Sequence, residues 1–180
     1  MKVFLFLAEG FEEIEAIAPI DIFRRADIDV TTVSVSDHLE VTGAHGIVIK
    51  ADRIFRNLQF TGDYLLFLPG GMPGTTHLGE HDGLRDLIAR QAEANQPLAA
   101  ICAAPSILGQ MGLLKGKEAI CYPGFEHLLT DAKVSKHKIV KAGNIHTAKG
   151  PGVAVDFALK LVEELRGEAV ARQVADGLML

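Results

Sequence analysis

Short apolar runs alternate with amphipathic stretches along most of the chain. Lys2 to Ala8 is an unbroken apolar run of strand length, the pattern of a strand covered on both faces and so central in a parallel sheet. Glu9-Gly10 then turns into Phe11 to Ile17, where Glu12, Glu13 and Glu15 suit the positive end of a helix. Pro19 predicts a kink or a new first turn before the pattern continues through Ile22-Phe23-Arg24-Arg25. Ile28 to Ser36 alternates β-branched and polar residues and predicts a second strand. Leu39 to Thr42 and Gly46 to Ala51, separated by Gly43-Ala44-His45, predict a small hairpin beside the main sheet. Asp63 to Leu68 predicts a further strand that runs into the loop Pro69-Gly70-Gly71-Met72-Pro73-Gly74, and Leu84, Leu87, Ile88 and Ala92 mark one face of a helix.

The stretch Pro97-Leu98-Ala99-Ala100-Ile101-Cys102-Ala103-Ala104-Pro105 carries an apolar run into a small-residue turn and then a helical pattern over Ser106 to Leu114. It reads as strand, turn and helix with Cys102 at the bend, the arrangement of a nucleophile elbow. Beyond it, Glu118 to Tyr122 predicts a strand and Lys138 to Ala142 with Ile145 to Ala148 a hairpin around Gly143-Asn144. A helix opens at Gly150-Pro151-Gly152 and runs to about Leu165, and a last one covers Glu168 to Val174. Strands alternating with helices predict an α/β fold, a doubly wound, mostly parallel sheet with helices on both faces, in a single domain over residues 1–180.

Composition narrows the function classes. A net charge of −5 without a Lys/Arg cluster carries no footprint for nucleic acid or an anionic membrane. The one dense basic stretch, Lys133 to Lys141, is interleaved with Val134, Ile139 and Val140 and reads as the solvated edges of two strands. Glu9 cuts the N-terminal apolar run short of a signal-peptide core, nothing approaches a membrane span, and the two cysteines have neither metal-ligand nor CxxC spacing. The expectation is a cytoplasmic protein with reduced thiols. The seven histidines show no pair at ligand spacing, so no metal is expected.

Ligands of open α/β sheets bind beyond the carboxyl ends of the strands. By that rule the loops at Glu9–Glu15, Gly70-Gly71 and Cys102 converge on one pocket. Cys102, displaced from the sheet edge toward solvent beside a helix start, is expected to titrate below the ordinary thiol value of about 8.5. The competing reading is an inert, packed thiol, and for Glu15 it is a solvated carboxylate serving the helix dipole. Gly70-Gly71 lacks the spacing of nucleotide-binding loops; its missing side chains let the Gly71 N–H approach Cys102 and form an oxyanion hole with the Ala103 N–H. Cys121, inside a strand pattern, reads as a small core residue.

These residues together resemble the ThiJ/PfpI superfamily, in the branch of the parkinsonism-associated deglycase and its bacterial relatives. The resemblance rests on Glu-Gly-Phe-Glu-Glu-Ile-Glu (9–15), Pro-Ile-Asp-Ile-Phe-Arg-Arg-Ala (19–26), Leu-Pro-Gly-Gly (68–71), Ala-Ala-Ile-Cys-Ala-Ala-Pro (99–105) and Lys-Gly-Pro-Gly (149–152), and it runs nearly end to end. It implies a flavodoxin-like sandwich, a homodimer and no cofactor. It also implies a reactive cysteine at Cys102, readily oxidised to a sulfinate, whose sulfur receives a hydrogen bond from a protonated glutamate at Glu15. His45, Tyr122, Gly150 and Pro151 join Gly70 as candidate pocket residues.

The departures bear on function. Ala103 stands where the protease-like branch has histidine, and the only His-x-Glu, His38-Leu39-Glu40, lies upstream of the cysteine rather than downstream, as class I amidotransferases need. Tyr122 aligns with a histidine common in the deglycase branch, and His45 with an arginine that reaches the partner's pocket. The leading expectation is a cofactor-independent cysteine enzyme acting on reactive carbonyls, of glyoxalase or deglycase type, on methylglyoxal or glycation adducts. The alternatives are an oxidative-stress sensor or redox-regulated chaperone working through Cys102 oxidation, and a cysteine hydrolase or amidase.

Overall fold

The structure is a computed structural model describing residues 1–180. In chain order the elements are β1 (Lys2–Leu7), α1 (Glu13–Arg25), β2 (Val30–Ser34), β3 (Glu40–Thr42), β4 (Val48–Lys50), β5 (Arg53–Ile54), β6 (Tyr64–Leu68), α2 (Gly74–Glu80), α3 (Asp82–Glu93), β7 (Leu98–Ile101), α4 (Pro105–Gln110), β8 (Glu118–Ala119), β9 (Lys133–Val134), β10 (Ile139–Ala142), β11 (Ile145–Ala148), α5 (Ala154–Arg166) and α6 (Glu168–Gly177). Seven strands form the main sheet in the order β10-β11-β7-β6-β1-β2-β5. All its pairings are parallel except β10 with β11.

The run in β1 is apolar throughout because both its faces are covered. Val3, Leu5 and Leu7 enter one core with Phe23, Phe67 and Phe157, beneath α1 and α5, while Phe4 and Phe6 enter a second with Leu78, Leu84, Leu87 and Ile88, beneath α2 and α3. From β1 the chain winds one way to β2 and later the other way through β6 to β7, which leaves a topological switch point between β1 and β6. The carboxyl ends of β1, β6 and β7 therefore lie side by side.

Several boundaries differ from the sequence expectation. Pro19 starts no new turn: α1 passes through it as one helix, and the ring's missing N–H forgoes only the bond to the Glu15 carbonyl. α2 and β5 were not anticipated, being too short and too polar to show a period. The helix over Ser106–Leu114 contracts to Pro105–Gln110, and a left-handed Gly112 follows. The strand over Glu118–Tyr122 contracts to two residues that pair with β9 outside the main sheet. The chain then leaves to bond elsewhere, Ile120 N–H to Thr147 Oγ1 (3.1 Å) and Tyr122 N–H to the Cys102 carbonyl (2.7 Å). The expected β3–β4 hairpin is present and antiparallel. No helix is long and apolar enough to cross a membrane.

Candidate active site around Cys102

β7 ends at Ile101, and Cys102 takes φ 64°, a left-handed conformation that costs a residue with a side chain about 1–2 kcal/mol. Two flanking segments hold it there. Its N–H donates to the Ala148 carbonyl at the end of β11 (2.9 Å), and its carbonyl accepts the Tyr122 N–H (2.7 Å). Ala103 and Ala104 are buried at the bend, and Pro105, which has no N–H to satisfy, begins α4.

The elbow does not project the thiol into solvent as the sequence suggested: Cys102 is 8% exposed. The loop after β6 and the first turns of α1 enclose it. Gly70 donates its N–H to Glu15 Oε2 (2.9 Å), and its carbonyl accepts the Glu12 N–H (2.9 Å). A methyl group on Gly70 would stand 2.6 Å from Cys102 Cβ and 2.7 Å from Glu15 Oε2, so the glycine is what lets carboxyl and thiol share one space. Gly71 has φ 90°, and a side chain there would collide with the backbone of Phe11 and Glu12. The solvated reading of Glu15 is overturned too: the residue is fully buried, and its Oε1 has no hydrogen-bond partner.

Burial pushes the Glu15 carboxyl up to about 7, against the lowering effect of its hydrogen bonds with Cys102 and the Gly70 N–H. Burial also pushes the Cys102 thiol up to about 12, reinforced by the Glu15 charge and hydrogen bond, while the N–H groups of Gly71 and Ala103 favour the thiolate. This corrects the expectation of an acidic thiol. The helix behind Cys102 is only six residues long, and its dipole is outweighed by desolvation and by the anion beside it. Between the two values the pair holds a single proton and titrates as a unit. The groups acting on the thiol are Glu15, Gly71 and Ala103, and none is a histidine.

His45 lies on the β3–β4 turn and contacts α1. Its backbone N–H donates to Glu13 Oε1 (2.7 Å), its Nδ1 lies 2.9 Å from Glu13 Oε2, and the Ile47 N–H also donates to Glu13 Oε1 (3.3 Å). Burial pushes Glu13 up, but the His45 side chain and these N–H groups outweigh it and hold the carboxyl below its ordinary value. The same bond holds His45 above its own. Glu13 thus fastens the hairpin to the helix, a role invisible in a sequence that shows only an acidic run. Glu12, Glu13 and His45 have ligand atoms within 4.8 Å of one another, a donor set suited to a cation, although Glu13 and His45 already bond each other. Tyr122, Gly150 and Pro151 line a different space, a cavity of about 360 Å³ shared with Pro123, Lys138, Lys149, Gly152 and Val153. Cys121 is buried in the second core, as expected, although it lies past the end of β8.

The profile of the DJ-1/PfpI family matches residues 1–164. Among curated relatives, DJ-1 homolog B of Arabidopsis thaliana is 34% identical over 97% of this chain, which spans only 40% of that protein's length. Drosophila melanogaster dj-1beta is 36% identical over 97% of this chain and 94% of its own. A Caenorhabditis elegans protein named glutathione-independent glyoxalase DJR-1.2 is 30% identical over 88% of this chain and 85% of its own. The solved structure of oxidised Toxoplasma gondii DJ-1 superposes with a TM-score of 0.92 at 33% identity, covering 99% of this chain and 97% of the other. With an elbow cysteine, a buried glutamate and a Gly-Gly loop on a sheet of this order, the chain belongs to the DJ-1/PfpI family.

Proposed function

We propose that the protein is a cofactor-independent cysteine enzyme that converts reactive 2-oxoaldehydes such as methylglyoxal to 2-hydroxy acids. The observation that carries this reading is the contact, across Gly70, of a fully buried carboxyl titrating near 7 with the elbow thiol. A carboxyl so tuned can accept and return a proton at neutral pH. Glu15 takes the thiol proton as Cys102 sulfur bonds the aldehyde carbon. The N–H groups of Gly71 and Ala103, released by the sulfur, receive the new alkoxide. Glu15 returns the thiol proton to the alkoxide, then takes the proton from C1 of the neutral hemithioacetal and delivers it to C2 as the C1 hydroxyl proton passes to the C2 oxygen, which gives a thioester of the 2-hydroxy acid. Water cleaves the thioester and restores the thiol, so that aldehyde and water give the hydroxy acid with no external oxidant or reductant. The C. elegans relative's name supports this chemistry. The test is lactate formation from methylglyoxal without glutathione; a wild-type rate equal to that of Cys102→Ala refutes it.

A second reading, oxidation of Cys102 as a signal, is favoured by the oxidised form in which the Toxoplasma relative was solved. We also propose a homodimer in a reducing cytoplasm. Ile14 (55% exposed) and Ile17 (41%) on α1 adjoin Ile47 (51%) and Val48 (56%) on the hairpin that Glu13 ties to it, an apolar face of the kind a second copy covers.

A further inference from the structure

The cavity lined by Tyr122, Lys138, Lys149 and Pro151 is not used by the chemistry above, yet it begins one residue from the nucleophile's own anchors. Lys149 follows Ala148, whose carbonyl holds the Cys102 N–H (2.9 Å), and Tyr122 donates its N–H to the Cys102 carbonyl (2.7 Å). The two lysines are set side by side by the bond from Lys149 N–H to the Lys138 carbonyl (2.9 Å). No carboxylate lines the cavity, in a chain whose net charge is −5. Lys138 and Lys149 have no acidic partner, as is true also of Lys50, Lys117, Lys133 and Lys136, but only these two line a cavity together. The acid nearest in effect is Glu126, which senses the charge of Lys149 but lies outside the cavity and accepts the Gly124 N–H (2.6 Å).

Two unpaired ammonium groups on the walls of a 360 Å³ space suit a small anion, since lysine acts as a point charge on carboxylate or phosphate oxygens. We infer that this cavity is an anion subsite for the tail of the substrate, so that Cys102 acts preferentially on 2-oxoaldehydes bearing a carboxylate or phosphate. The inference rests on the carbonyl reading of Cys102 and adds no covalent step to it. The tail is held while the aldehyde carbon meets the sulfur, which converts binding energy into orientation.

The test compares kcat/KM for 4,5-dioxopentanoate, for 3-phosphooxy-2-oxopropanal and for methylglyoxal. The expected preference of the wild type for at least one anionic compound is about tenfold, the effect of one well-placed charge contact. That ratio falls by about the same factor in the Lys138→Gln/Lys149→Gln variant and persists in Lys133→Gln/Lys136→Gln, which removes equal charge from exposed positions away from the cavity. The anion that carries the preference identifies the tail as carboxylate or phosphate. An absent preference, or a ratio that changes equally in the two variants, overturns the inference. If no aldehyde is turned over, the carbonyl reading fails and alkylation of Cys102 decides the subsite. The rate ratio of iodoacetate to iodoacetamide then drops several-fold in Lys138→Gln/Lys149→Gln alone, and an unchanged ratio overturns the proposal.

Discussion

Removing the charge of Glu15 tests whether its carboxyl is held out of water against an electrostatic cost. The carboxyl titrates near 4.5 when solvated and near 7 in the fold. Below the lower value it is protonated in both folded and unfolded chains and costs nothing. Between the two, the unfolded chain ionises while the folded one does not, so stability falls as pH rises. Above 7 the loss is complete, on the order of 3 kcal/mol. Glu15→Gln has no such penalty and keeps an oxygen for the Gly70 N–H. Urea unfolding of both proteins at pH 4 and pH 8.5, each carrying Cys102→Ala so that the coupled thiol is absent from both, isolates the effect, because the remaining titrating groups cancel in the difference. The Glu15→Gln protein gains on the one that keeps Glu15 by on the order of 3 kcal/mol between pH 4 and pH 8.5. A stability difference that is the same at both pH values refutes a buried, high-pKa carboxyl and removes the acid–base partner from the proposed mechanism. With Cys102 in place, lactate formation by Glu15→Gln is expected to fall by about two or more orders of magnitude, the scale of a lost general acid–base.

Cys102→Ala abolishes lactate formation while Cys121→Ala retains most of it, as judged by initial rates, because Cys121 lies in the second core with its thiol pushed up to about 11 by burial. The rate of Cys102 alkylation by iodoacetamide rises through about pH 7, where the pair releases its first proton; in Glu15→Ala that inflection is absent from the pH–rate profile. Gly70→Ala costs about 100-fold or more in kcat/KM, because its methyl group enters the space shared by Cys102 Cβ and Glu15 Oε2. Ile17→Glu/Val48→Glu converts a dimer to a monomer in sedimentation equilibrium, and a monomeric wild type refutes the proposed interface.

The α/β class was legible because the pattern reports burial directly. β1 has no polar interruption since two cores cover it, and the acidic start of α1 and the small residues around Cys102 are local requirements of a helix end and a sharp bend. Convergence of Glu15, Gly70 and Cys102 was legible by rule, because loops at the carboxyl ends of neighbouring strands must meet. The contraction of the Glu118–Tyr122 strand was not, since its residues favour a strand and only bonds to Thr147 and Cys102 draw them away.

Local patterning along the chain therefore carries the layering of the sheet, the elbow and the identity of the residues around it. Their chemical state emerges only on folding. Cys102 was expected to be solvated and acidic, yet its 8% exposure and its position against Glu15 raise both groups and bind them to one proton. The fastening of His45 by Glu13, and the meeting of the Lys138–Lys149 end of the hairpin with Tyr122 and Pro123 at one cavity, likewise depend on segments distant in the chain. Periodicity records which side of an element faces the core, whereas a titration depends on desolvation and on charges a few ångströms away, and those distances exist only once the chain has folded.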